Sequence, residues 1–130
     1  MAEHLGVTIG LPAGQTTWEY LVILLALEIW AARFRSSGLL LLGDNLGALE
    51  GALNHRGRGD LSKITRELSW RQVRQAWLYA VAHLPSEANV VADRLSRLHA
   101  PAGSDRKSFP PELSGATRRI ADPMALWICS

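Results

Sequence analysis

The run Leu39-Leu40-Leu41-Leu42, closed by Gly43-Asp44-Asn45, sets the tightest limit on how this chain can fold. Consecutive leucines without alternation describe a strand buried on both faces, the kind found in parallel sheets sandwiched by helices. Such a strand needs neighbours beside it and helices above and below it. The flanking sequence offers both. Leu5, Val7, Ile9 and Leu11 alternate with His4, Gly6, Thr8 and Gly10, which predicts a strand over 4–11. Leu78 to Leu84 predicts another, ended by Pro85.

Helical periods fill the gaps. After Pro12-Ala13-Gly14, a helix is predicted over roughly 17–35, with Trp18, Leu21, Val22, Leu25, Ile29 and Ala32 as its inward stripe. Ser36-Ser37-Gly38 ends it. A second helix buries Leu46, Leu49, Ala52 and Leu53 and ends near His55. Asp60 suits the N-cap of a third, running to about Ala76 with Leu61, Ile64, Leu68 and Val73 inward. A last helix covers about 88–98. This alternation predicts an α/β fold with a largely parallel sheet. Residues 1–99 form the expected domain. Residues 100–130, rich in Pro, Ser, Gly and Arg, are expected to be a weakly ordered tail or linker, in which Met124 to Ile128 is either a docking segment or translated sequence beyond the domain.

A length of 130 residues allows one domain at most, and 48% hydrophobic residues suffice for a core. Cys129 is the only cysteine, which removes internal disulfides and cysteine-based zinc sites. The 20–32 stretch is apolar but holds Glu28 and is too short for a bilayer span, and no secretory signal opens the chain. The expectation is an intracellular protein with no membrane role. The net charge of +2 is mild, yet between Arg33 and Arg74 eight bases face four acids, which suits a polyanionic partner.

In open α/β sheets, sites form beyond the carboxyl ends of the strands. Asp44 follows the Leu39–Leu42 strand. His83 ends the next strand, and Asp93 follows it by ten residues, on the last helix. Glu19 lies in the first turn of the first helix. Neighbouring strands would bring these acids to one edge. Clustered carboxylates repel unless a cation neutralises them, and all-oxygen sets suit Mg²⁺ or Mn²⁺. Each acid also has a plain structural reading. Thr16 and Glu19 have capping-box spacing, Asp44 is placed to cap the second helix, and Asp93 is placed to pair with Arg94 or Arg97. Glu28 is a control: nine residues after Glu19, it projects ~180° away, toward the surface or the tail.

Three blocks together resemble the ribonuclease H-like domain of retroelement reverse transcriptases. They are Thr17-Trp18-Glu19-Tyr20 with the apolar residues after it, Gly43-Asp44-Asn45-Leu46-Gly47, and His83-Leu84-Pro85 through Asn89 to Ala92-Asp93-Arg94-Leu95-Ser96-Arg97. The resemblance spans about residues 4–99. It implies a ribonuclease H-like mixed sheet flanked by helices and two-metal hydrolysis of the RNA strand in an RNA–DNA hybrid. By position, Glu19, Asp44 and Asp93 resemble three of the family's four Mg²⁺-binding acids. His83 resembles its loop histidine, which assists proton transfer or product departure. Asn45, Asn89 and the Arg56/Arg58 loop are the implied nucleic-acid contacts, with an N-cap role equally open to Asn89. The implied partner is the polymerase domain of the parent polyprotein.

Ser86 stands where relatives usually have glycine. The predicted 4–11 strand resembles the family's third, so the first two strands and the aspartate that bridges both metals are expected to be missing; Glu3 is the only acid before Glu19. Losing that bridging ligand is expected to weaken metal binding sharply. The alternative function is a non-catalytic nucleic-acid-binding remnant that uses the arginines of the third helix and the Arg56/Arg58 loop. Trp18, Trp30, Trp70 and Trp77 are read as packing residues in either case.

Overall fold

The chain was analysed as a computed structural model that describes residues 14–34, 38–54 and 56–128. The predicted 4–11 strand lies outside the described residues. The elements are helix α1 (Gln15–Phe34), strand β1 (Gly38–Gly43), α2 (Leu46–Asn54), α3 (Leu61–Gln75), β2 (Leu78–His83) and α4 (Val90–Ser96). Two 3₁₀ turns follow, Pro111–Leu113 and Pro123–Leu126. The architecture is mixed α/β, a small sheet with flanking helices. It divides into two compact units: one runs to His83 and takes the chain in again from Ile120, and the other is Leu84–Arg119.

In the first unit, β1 and β2 pair in parallel, with Gly38 opposite Leu78 and Gly43 opposite His83. The connection between them carries two helices, α2 and α3. Helix α1 lies against both of these helices. The core gathers Tyr20, Leu21, Leu24 and Leu27 of α1, Ala48 of α2, Ile64 and Leu68 of α3, and Trp77 just before β2. Each fully buried leucine is worth roughly 1.5–3 kcal/mol relative to exposure.

Four sequence expectations need correction. The buried face of α1 is Thr17, Tyr20, Leu21, Leu24 and Leu27, whereas Val22 is 60% exposed and Ala32 is exposed. The helix is apolar on nearly every side, so its period does not fix its phase; the phase is set by Tyr20 meeting Thr65 and Glu28 meeting Arg71. In α3, Val73 is 84% exposed while Glu67 and Arg71 are buried. Val73 lies nine residues from buried Ile64, ~180° around the helix. Leu46 of α2 is exposed and Ala48 takes the inward place.

The fourth correction concerns β1. Leu39 and Leu41 pack on the core, but Leu40 and Leu42 are 62% and 57% exposed. The strand is covered on one face only among the described residues. A homogeneous leucine run cannot report which face is covered.

The second unit is thinly packed. None of the residues of α4 is buried. Its chain folds back so that the amide of Lys107 donates to the carbonyl of Arg97 at 3.3 Å and Arg106 Nε donates to the carbonyl of Leu98 at 3.0 Å. Residues 100–130 thus divide: 100–119 belong to this unit, and 120–128 belong to the first, where Leu126 is fully buried.

Candidate functional site

The carboxyl ends of β1 and β2 lie side by side, because Gly43 is in register with His83. Asp44 follows Gly43 directly, so Asp44 and the exposed His83 leave the sheet at one edge. Asn45 organises this edge. Its Oδ1 accepts from the amide of Ala48 at 3.0 Å, which caps α2 and satisfies one of the free amides of its first turn. Its Nδ2 donates to Thr16 Oγ1 at 3.4 Å. That bond ties the loop of Asp44 to the first turn of α1, one turn before Glu19. The capping role open to Asp44 thus falls to its neighbour, and Asp44 stays exposed outside the cap.

The capping box read at Thr16 and Glu19 does not form. Helix α1 starts at Gln15, so Thr16 lies inside it rather than before it. The Thr16 hydroxyl is turned to Asn45, and Glu19 Oε1 accepts from Gln15 Nε2 one turn earlier. Glu19 remains partly exposed.

Asp93 and Asn89 belong to the second unit. Asp93 Oδ1 accepts from Arg97 Nε at 2.7 Å, one turn on, with both side chains substantially solvated. Arg97 also bonds Asp105, which pairs with Lys107. The Lys107 ammonium holds the Asp105 carboxyl below its usual range, and Asp93 raises the Arg97 guanidinium. Asn89 occupies the N-cap of α4 without a side-chain capping bond; its carbonyl accepts from the Asp93 amide at 3.0 Å. Within each unit, among the described residues, no three of the His, Cys, Asp and Glu side chains gather to hold a metal.

Arg56 and Arg58 are exposed on either side of Gly57. A Cβ at Gly57 would lie 2.7 Å from the carbonyl of Leu61 and would also strike the Thr65 hydroxyl. Only glycine lets this loop press on the start of α3. The expected Asp60 cap makes no side-chain bond; Ser62 Oγ instead donates to the carbonyl of Gly59 at 2.6 Å.

The arginines of α3 separate into two kinds. Arg66 and Arg74 are exposed, with Arg74 stacked 4.9 Å over the Trp70 ring. Arg71 is buried, so it is withdrawn from any phosphate-tracking surface. Its guanidinium joins Glu28 at 2.9 Å and Glu67 at 3.2 Å. The sequence reading missed this group, although the Glu67–Arg71 spacing on the face of Ile64 and Leu68 was a visible signal. A pocket of about 230 Å³ beside it is lined by Glu28, Trp70, Arg71, Arg74, Trp77 and Ile128, away from Asp44 and Glu19.

Among the described residues, no helix is long and apolar enough to cross a membrane. Comparison with family models, with curated proteins and with solved structures finds no match to this chain.

Proposed function

We propose that this chain is a ribonuclease H-like module of a retroelement reverse transcriptase, acting on the RNA strand of RNA–DNA hybrids. The observation that carries this reading is the shared edge. Asp44 and His83 leave two adjacent parallel strands in register, and the Asn45–Thr16 bond tethers the turn just before Glu19 to the same loop. In open α/β folds this is where ligands bind. Glu19 and Asp44 offer oxygen donors of the type that suits Mg²⁺ or Mn²⁺. Bound Mg²⁺ would supply an activated water and charge neutralisation at the phosphate. The chain's own contribution is positional: Asn45 fixes the loop, Thr16 fixes Asn45, and β2 presents His83 to the departing strand.

A second reading is a non-catalytic nucleic-acid-binding remnant. Arg56 and Arg58, exposed on the loop that Gly57 pins down, favour it. One experiment separates the two. A labelled RNA–DNA hybrid is titrated with the chain, with and without Mg²⁺, and both retention and RNA cleavage are followed. Mg²⁺-dependent cleavage that disappears in Asp44→Asn supports the nuclease. Salt-sensitive retention without cleavage supports the remnant, and salt-insensitive or absent binding sinks both.

A further inference from the structure

The chain returns to the first unit at Ile120, after the separate unit Leu84–Arg119. What it does there is unlike ordinary core packing. The guanidinium of Arg71 donates from Nη2 to the carbonyl of Ala125 at 2.6 Å and from Nη1 to the carbonyl of Leu126 at 3.4 Å. Glu67 Oε2 accepts from the amide of Ile128 at 3.1 Å. Glu28 holds the same guanidinium through Nε at 2.9 Å. Three main-chain groups of a four-residue segment are therefore read by two buried charges. One side chain of the segment, Leu126, is fully buried in the core. The flanking Met124 and Ile128 remain exposed, at 80% and 55%.

This is the chemistry of peptide recognition: main-chain hydrogen bonds for affinity and one apolar pocket for specificity. Charge-assisted bonds of this type are the strong ones. We propose that Glu28, Glu67 and Arg71 form a peptide-recognition site for a leucine-centred segment, filled in cis by residues 125–128 and open to the same segment of a second copy of this chain. Nothing in the contacts depends on which copy supplies the strap. Its covalent path back to the first unit runs through 84–119, so exchange between copies breaks no contact within the first unit other than those it remakes.

The test uses the full chain with a protease recognition sequence placed over 115–118, which are exposed. After cleavage the strap is held by non-covalent contacts alone. The expected result is that the strap fragment co-elutes with the remainder on size exclusion. An excess of synthetic peptide covering residues 120–130 displaces it, and the same peptide carrying Leu126→Asp does not. Cleaved chain freed of its fragment then captures an intact, tagged second copy, but not a tagged Leu126→Asp copy. A fragment that stays bound against excess peptide, or that leaves a folded remainder unable to rebind peptide, overturns the proposal. If cleavage unfolds the chain, the peptide must restore its near-ultraviolet circular dichroism, and failure to do so also overturns it.

Discussion

Helix α1 carries two glutamates, and the fold treats its two ends differently. At the N-terminal end, Glu19 is partly exposed, accepts from a neutral amide and lies one turn from the bond that ties α1 to the Asp44 loop. Toward the C-terminal end, Glu28 meets the guanidinium of Arg71, which is fixed in turn by Glu67 and the strap. Among the described residues, Glu28 is matched by a cation and Glu19 accepts from a neutral amide. A charge that the fold has already neutralised is part of the scaffold. A charge that it leaves to solvent and a neutral donor is open to chemistry.

The sharpest way to break this comparison is to remove the cation. Arg71→Met strands Glu67, which has no exposed surface, and takes the donors from the strap. Breaking a buried pair from one side costs ~3–5 kcal/mol, so a urea unfolding midpoint close to the wild-type value would show that the buried group is not structural. Next in size is Leu126→Ala, expected at ~2–5 kcal/mol because the side chain is fully buried. A loss well below that range would show that the strap contributes little to the first unit.

Alkaline pH should strain the same region. Burial pushes the phenols of Tyr79 and Tyr20 above their ordinary value of 10.0; the Tyr20 phenolate also opposes ionisation of Tyr79, while Arg71 partly offsets it. The native chain therefore holds these protons at a pH where the unfolded chain has released them. The stability they contribute is complete below pH 10.0 and falls as pH rises toward the native titrations. Tyr79→Phe should move the alkaline unfolding midpoint to higher pH. An unchanged midpoint would assign the alkaline loss to other groups.

The order of elements from α1 to α4 was legible because strands and helices differ in period and their ends carry Gly, Pro, Asp and Asn. The sequence did not reveal phase. Helix α1 is apolar on most sides, and four leucines in β1 read the same from either face, so the direction of the core was set by contacts distant in sequence. The contacts of the tail were hidden for a related reason. Its composition is that of a linker, and its one buried leucine is held through main-chain bonds, which composition does not encode. The site residues were named by type and spacing. The role of Asn45 as both cap and tether follows from two hydrogen bonds made across 29 residues and three residues of sequence; the sequence offered the cap to Asp44 and gave no sign of the tether.

The smallest expected effect on stability is also the most informative about function. Glu28→Gln neutralises the carboxylate that accepts from Arg71 and should cost ~1.5–3 kcal/mol. Glu19→Gln and Asp44→Asn change a partly exposed and an exposed side chain, and each should stay within ~0.5 kcal/mol of wild type. The same two substitutions should abolish Mg²⁺-dependent cleavage of a hybrid, if cleavage is measured, while Glu28→Gln should spare it at temperatures where the chain is folded. Unfolding curves and cleavage assays on the three variants decide the matter jointly. A Glu19→Gln chain as unstable as Glu28→Gln would make Glu19 part of the scaffold, and the proposed metal site would lose one of its acids.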